Sequence, residues 1–137
     1  MAIQAHLKWT DELQFVGRVG DGPAIVMDST DGASGASTMQ MVLMGVAGCT
    51  AIDIAVILKK KRIRMSRFEI MITGEQTEEH PRRYTKISIV YMLYGKGIKP
   101  KAVEQAIKLS ETKYCSATAS VNAEYEHSYR IVEEDMP

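Results

Sequence analysis

Two cysteines in 137 residues cannot build a disulfide scaffold, and no C-x-x-C pair supplies the closely spaced thiols typical of structural zinc. The three histidines, His6, His80 and His127, share no ligand spacing, so the sequence predicts no metal site. There is no G-x-G-x-x-G, no Walker loop and no G-x-S-x-G, which removes support for a nucleotide cofactor or a serine hydrolase; no cofactor is expected. Charge of one sign is missing too: 17 basic residues balance 17 acidic ones, which argues against a wholesale nucleic-acid binder. The opening MAIQAHLKWTDEL lacks the basic and apolar regions of a secretory signal, so a cytoplasmic protein is expected. In a reducing compartment Cys49 and Cys115 are free thiols or a redox pair rather than a permanent bridge.

What is present is a greasy central segment. Residues 41–58 form an apolar run of bilayer-spanning length, but Thr50, Asp53, Gly45 and Gly48 interrupt it. A carboxylate at the bilayer centre is costly without a partner, so no membrane association is expected. A helix apolar almost all round is instead the centre of a soluble core, or one buried further by a second subunit.

Around it the chain reads as one domain, 1–137, large enough to bury roughly two thirds of the surface its unfolded form exposes. Residues 3–9 alternate as I-Q-A-H-L-K-W, residues 13–19 are extended, and a third short strand covers 24–27 after the turn G-D-G-P. The glycine- and serine-rich DSTDGASGAS that follows suits a mobile loop or one folded over a site, and Ser37 or Thr38 can cap the next helix. That helix is predicted over 38–62, with Lys59, Lys60 and Lys61 at the negative end of its dipole. Strands over 64–77 and 83–94 form a long hairpin, a second helix covers 98–114, and a closing strand covers 123–132. The order is βββαββαβ without repeats, an α+β fold rather than a βαβ array.

Cys49 and Asp53 lie one helical turn apart in this segment. If the helix breaks at Gly48, Cys49 gains the electrostatic help of a new N-terminus; if it is continuous, it gains little. The negative charge of Asp53 raises the thiol pKa unless a cation or a hydrogen-bond donor satisfies it, so a buried Asp53 with a cationic or backbone-donor partner is expected. On residue type alone, a lone cysteine among Val, Ala and Ile is more often a packing residue than a catalytic one. Cys115 adds a second thiol, and two thiols make a peroxide-reducing pair if their Cα atoms come within about 7 Å. The run Lys59-Lys60-Lys61-Arg62-Ile63-Arg64 suits a solvated helix end, since no aromatic platform accompanies it.

The combination "STMQMVLMGVAGCTAIDIAVILKKKR" and "LSETKYCSATAS" resembles the two cysteine segments of the OsmC/Ohr family, closest to its small OsmC-like branch, and the likeness in element order covers nearly the whole chain. The resemblance implies an intertwined homodimer, with long central helices packed between sheets and active sites at the subunit interface. It implies thiol-dependent reduction of organic hydroperoxides, with Cys49 peroxidatic and Cys115 resolving, and a dithiol or protein-bound lipoyl reductant. Small hydroperoxides are the implied substrate. Active family members carry a glutamate ten residues before the first cysteine, paired with an arginine. Here that position is Met39, followed by Gln40, and neither supplies the carboxylate. Arg18, in "FVGRVGDG", resembles the family's arginine-bearing loop; it implies either a cation over Cys49 or a partner for Asp53. The alternative on the same fold is a non-catalytic protein that binds a small ligand or senses redox state.

Overall fold

The computed structural model describes residues 1–136 and divides into two units, one comprising Met1–Val42 and the other the remaining described chain from Leu43. The first unit is a four-stranded sheet in the order β1-β2-β3-β4. β1 (Ala5–Asp11) and β2 (Gln14–Val19) form a hairpin whose tight turn holds Glu12 at φ 49. β2 pairs antiparallel with β3 (Ile25–Asp28), placing Phe15 opposite Met27. β3 pairs in parallel with β4 (Ala36–Ser37), a two-residue strand too short to leave a periodic signal in the sequence.

The segment joining β3 to β4 is closed on itself. The Asp28 carboxylate accepts the Ser34 hydroxyl at 2.5 Å and the backbone N–H groups of Ser29 and Ser34 at 2.7 and 3.3 Å. These donors, the Ser34 hydroxyl foremost, hold the Asp28 carboxyl below its ordinary pKa. At Gly32 an added Cβ would meet the Asp28 carboxyl group, so a larger residue would have to displace that carboxylate from its donors. This serine-rich stretch is therefore organised as an Asp28-centred turn.

α1 (Thr38–Lys60) is continuous through Gly45 and Gly48, which resolves the question of a break before Cys49. It starts with a capping box: the Gln40 N–H donates to Ser37 Oγ at 3.3 Å, and the Ser37 N–H donates to Gln40 Oε1 at 2.9 Å. It ends at Lys60, and Arg62 turns the chain away with φ 61. Val46, Thr50, Ile54 and Leu58, spaced four apart, are its buried stripe. Burying the three aliphatic side chains contributes on the order of 1.5–3 kcal/mol each. α1 is long and apolar enough to cross a membrane by length and composition. That stripe, however, serves as a protein core, and Thr50 is satisfied there by donating to the Ala47 carbonyl at 3.0 Å.

The second unit is built on a sheet in the order β5-β6-β7. β5 (Arg67–Gln76) and β6 (Tyr84–Gly95) form the antiparallel hairpin, and β6 pairs in parallel with β7 (Glu124–Glu133). Alternation along β6 buries Ile87, Ile89, Tyr91 and Leu93 completely, as expected for the central strand under a helical layer. A parallel pair needs a crossover, supplied by α2 (Pro100–Leu109), a single π-helical turn at Ser110–Tyr114 and α3 (Ser116–Ser120). The sequence predicts one helix over 98–114; the structure divides this region because the Cys115 N–H donates to the Ser110 carbonyl at 2.8 Å, closing a wider turn. Pro100 starts α2, where a missing N–H costs nothing, and Val103, Ala106 and Ile107 are its buried face. The observed chain is thus α+β, with one βαβ crossover inside its second unit.

Candidate thiol active site

Cys49 projects from the middle of α1, half-buried, and Cys115 stands at the N-cap of α3, only 5% exposed. Asp53 follows Cys49 by one turn on the same helix. The two sulfurs and a carboxylate oxygen of Asp53 all lie within 4.8 Å of one another. Residues far apart in sequence are gathered because the β6–β7 crossover carries α3 to the side of α1.

The backbone N–H of Thr118 donates to Cys115 Sγ at 3.4 Å, the side-chain cap of α3. The N–H groups of Ala117 and Ser116 face Cys49 and favour its thiolate. Burial outweighs them, with the adjacent Cys115 acting in the same direction, and the Cys49 thiol is raised above its ordinary pKa. Help for the thiolate thus comes from the start of α3, not from a break in α1. The signal for it was the small-residue run S-A-T-A-S after Cys115, which a short helix needs in order to approach another helix closely.

Asp53 is half-buried, and its Oδ2 accepts the Ser110 hydroxyl at 2.9 Å. The expected cation or backbone amide is replaced by a neutral hydroxyl, delivered by the π-helical turn. Ser110 is itself almost wholly buried and went unmarked in the sequence. Gln40, a candidate supporting residue, has its side chain committed to the helix cap at Ser37. Arg18 lies on β2, exposed, opposite His6 of β1, in the first unit.

A buried polar chain adjoins the thiols. Tyr91 of β6 lies 3.0 Å by its hydroxyl from His127 Nδ1 and also bonds Thr50, the neighbour of Cys49 on α1. Burial pushes the Tyr91 phenol up to about 12. The His127 pKa is lowered by burial, against the opposing pull of Glu111, whose Oε2 is 3.8 Å from Nε2. Tyr91 and His127 did not stand out as functional in the sequence, because each is an ordinary member of a strand.

A cavity of about 470 Å³ shares Asp53 with the thiol cluster and is walled by Val56, Ile57, Leu109 and Tyr114. Lys60 and Lys61 also line it, so its ends along α1 carry opposite charges. An apolar cleft with a few polar groups is suited to a small, largely apolar molecule.

The OsmC-like protein family model matches residues 30–130. The chain is 39% identical over 132 residues to protein YhfA of Escherichia coli strain K12, covering 95% of this chain and 98% of the relative. A hypothetical protein from Aquifex aeolicus VF5 superposes with a TM-score of 0.88 at 31% identity, covering 98% of both chains. The organic hydroperoxide resistance protein OhrB of Bacillus subtilis shares the fold, with a TM-score of 0.67 at 11% identity over 95% of this chain and 98% of that one. Two cysteine segments, the element order and these similarities make the chain a member of the OsmC-like family.

Proposed function

We propose that the protein is a cytoplasmic thiol peroxidase that reduces organic hydroperoxides, acting as a single OsmC-like domain in a homodimer. The observation that carries this is the pair of sulfurs within 4.8 Å, one half-buried and reachable, the other buried behind it. The Cys49 thiolate attacks the distal peroxide oxygen, the O–O bond breaks, and the alcohol leaves with a proton as Cys49 becomes a sulfenic acid. The Cys115 thiol then attacks that sulfur, releasing water and forming the Cys49–Cys115 disulfide. A dithiol or lipoyl reductant returns both thiols. N–H groups of Ala117 and Ser116 stabilise the attacking thiolate, and the cavity beside Asp53 takes the organic part of the peroxide. Arg18 enters as a cation favouring the thiolate on the resemblance alone, and Arg18→Ala tests it by slowing thiol oxidation.

Stopped-flow loss of thiol with cumene hydroperoxide tests the whole scheme. The expected result is one equivalent of Cys49 oxidised and a Cys49–Cys115 disulfide, with Cys115→Ser arresting at the sulfenic acid. A rate no greater than that of free cysteine would sink it. A second function is favoured by the raised Cys49 pKa and the apolar cavity: binding of a small apolar ligand, or redox sensing, without turnover. Its signature is a Cys49 pKa above about 8.5, read from the alkylation rate against pH.

A further inference from the structure

We propose that in the reduced protein Cys49, Asp53 and Cys115 form a site for one soft divalent cation, zinc by chemical class, held entirely within one chain. Three donors of the kinds zinc takes, two sulfurs and a carboxylate oxygen, already lie within 4.8 Å of one another. With Zn–S bonds of about 2.3 Å a tetrahedral ion holds its sulfurs about 3.8 Å apart, so side-chain adjustment of roughly 1 Å closes the set. The close spacing along the chain that zinc sites usually show is absent, but α1 presents Cys49 and Asp53 one turn apart and the cap of α3 adds Cys115.

Asp53 is the informative member. Its carboxylate adds an oxygen donor to the two sulfurs, and its negative charge suits a cation held among them. Its outer contacts are those of a metal ligand: the Ser110 hydroxyl holds Oδ2 at 2.9 Å and leaves the other oxygen available, and the Thr118 N–H orients Cys115 Sγ at 3.4 Å. Cys115 is buried and Cys49 and Asp53 are half-buried, so three positions are supplied by protein and the fourth is open to water. Binding displaces one proton from each thiol and transfers no electrons. The ion then sits between the sulfurs where the disulfide bond would form, so the metal-bound and disulfide states exclude each other.

The proposal does not rest on peroxidase activity. It is tested on the reduced full-length protein by titrating Cd²⁺ and following sulfur-to-cadmium charge-transfer absorption, then displacing Cd²⁺ with Zn²⁺. One ion per chain is expected, lost in Cys49→Ser, in Cys115→Ser and in the wild-type protein oxidised to its disulfide. Asp53→Asn is expected to weaken binding at least tenfold, and Ser110→Ala severalfold, with circular dichroism confirming the fold of each variant. The oxidised wild type keeps a control available if a cysteine variant misfolds. No charge-transfer band in the reduced protein, a stoichiometry unchanged by oxidation, or undiminished affinity in Asp53→Asn would each overturn the site. Metal binding without peroxide turnover would remove the peroxidase function and leave this site standing.

Discussion

Gln40 illustrates how one side chain can satisfy either a helix end or a reactive centre. Its amide oxygen takes the Ser37 N–H at 2.9 Å while Ser37 Oγ takes its N–H, so the pair satisfies backbone groups that α1 leaves unpaired. Gln40→Ala is expected to cost about 1 kcal/mol, seen as a Tm lower by a few degrees. Its rate of thiol oxidation by hydroperoxide should stay at the wild-type value; a large fall would return Gln40 to the site. His127 makes a different prediction at the same scale. Burial lowers its pKa, so the folded state holds it neutral beside Tyr91, Tyr125 and Glu111. Its contribution is present above the unfolded value of about 6.5 and is lost as pH falls below it, because the unfolded chain then binds a proton that the folded chain resists. Urea midpoints at pH 7.5 and 5.0 should therefore separate for the wild type, and by less for His127→Gln. Neither His127 nor Tyr91 announces this in the sequence, since their contact joins positions 36 residues apart.

Elements were legible where one repeat ran unopposed. β6 alternates cleanly because one face is fully buried, and α1 carries an apolar run long enough to outweigh the breaking signals at Gly45 and Gly48. The crossover was harder. A π-helical turn and a five-residue helix leave almost no periodic trace, and what fixes them is tertiary: the Ser110 hydroxyl reaching Asp53 across 57 residues. The candidate thiols were found by motif, but their donors on α3 were not, because backbone N–H groups have no residue code. Within the hairpin, Gly74 of β5 marks a close approach. A Cβ there would lie 2.5 Å from the Tyr84 ring and 2.9 Å from Leu43 Cδ1 of α1. Gly74→Ala is expected to destabilise the fold by about 1–3 kcal/mol, measured by urea unfolding, because ring and helix must both retreat. An unchanged midpoint would mean that α1 is not seated firmly on this sheet.

At the scale of the whole molecule, one side of α1 is among the apolar surfaces left exposed in a single chain. Met44, Ile52 and Val56 are 53%, 67% and 46% exposed, although they belong to the least polar segment of the sequence. Leaving these side chains in water forgoes part of the roughly 1.5–3 kcal/mol that each gains on full burial. A second copy of the chain is the natural cover, because a two-fold pair presents the same apolar stripe from both sides. The homodimer proposed above therefore places α1 against its equivalent, and Ile52, the most exposed of the three, is the residue to charge. Ile52→Lys should convert a dimer to a monomer in sedimentation equilibrium, since an ammonium would enter an apolar contact without a counterion. Its second unit should remain folded by circular dichroism, because Val46, Ile54 and Leu58 form the opposite, buried stripe. A wild-type protein that sediments as a monomer at all concentrations would remove the dimer, whereas a variant still dimeric would move the interface away from Ile52. The thiols sharpen the test. If pairing along α1 is needed to shape the peroxide site, the Ile52→Lys monomer should oxidise Cys49 more slowly while its Cd²⁺ stoichiometry, which depends on one chain alone, stays at one.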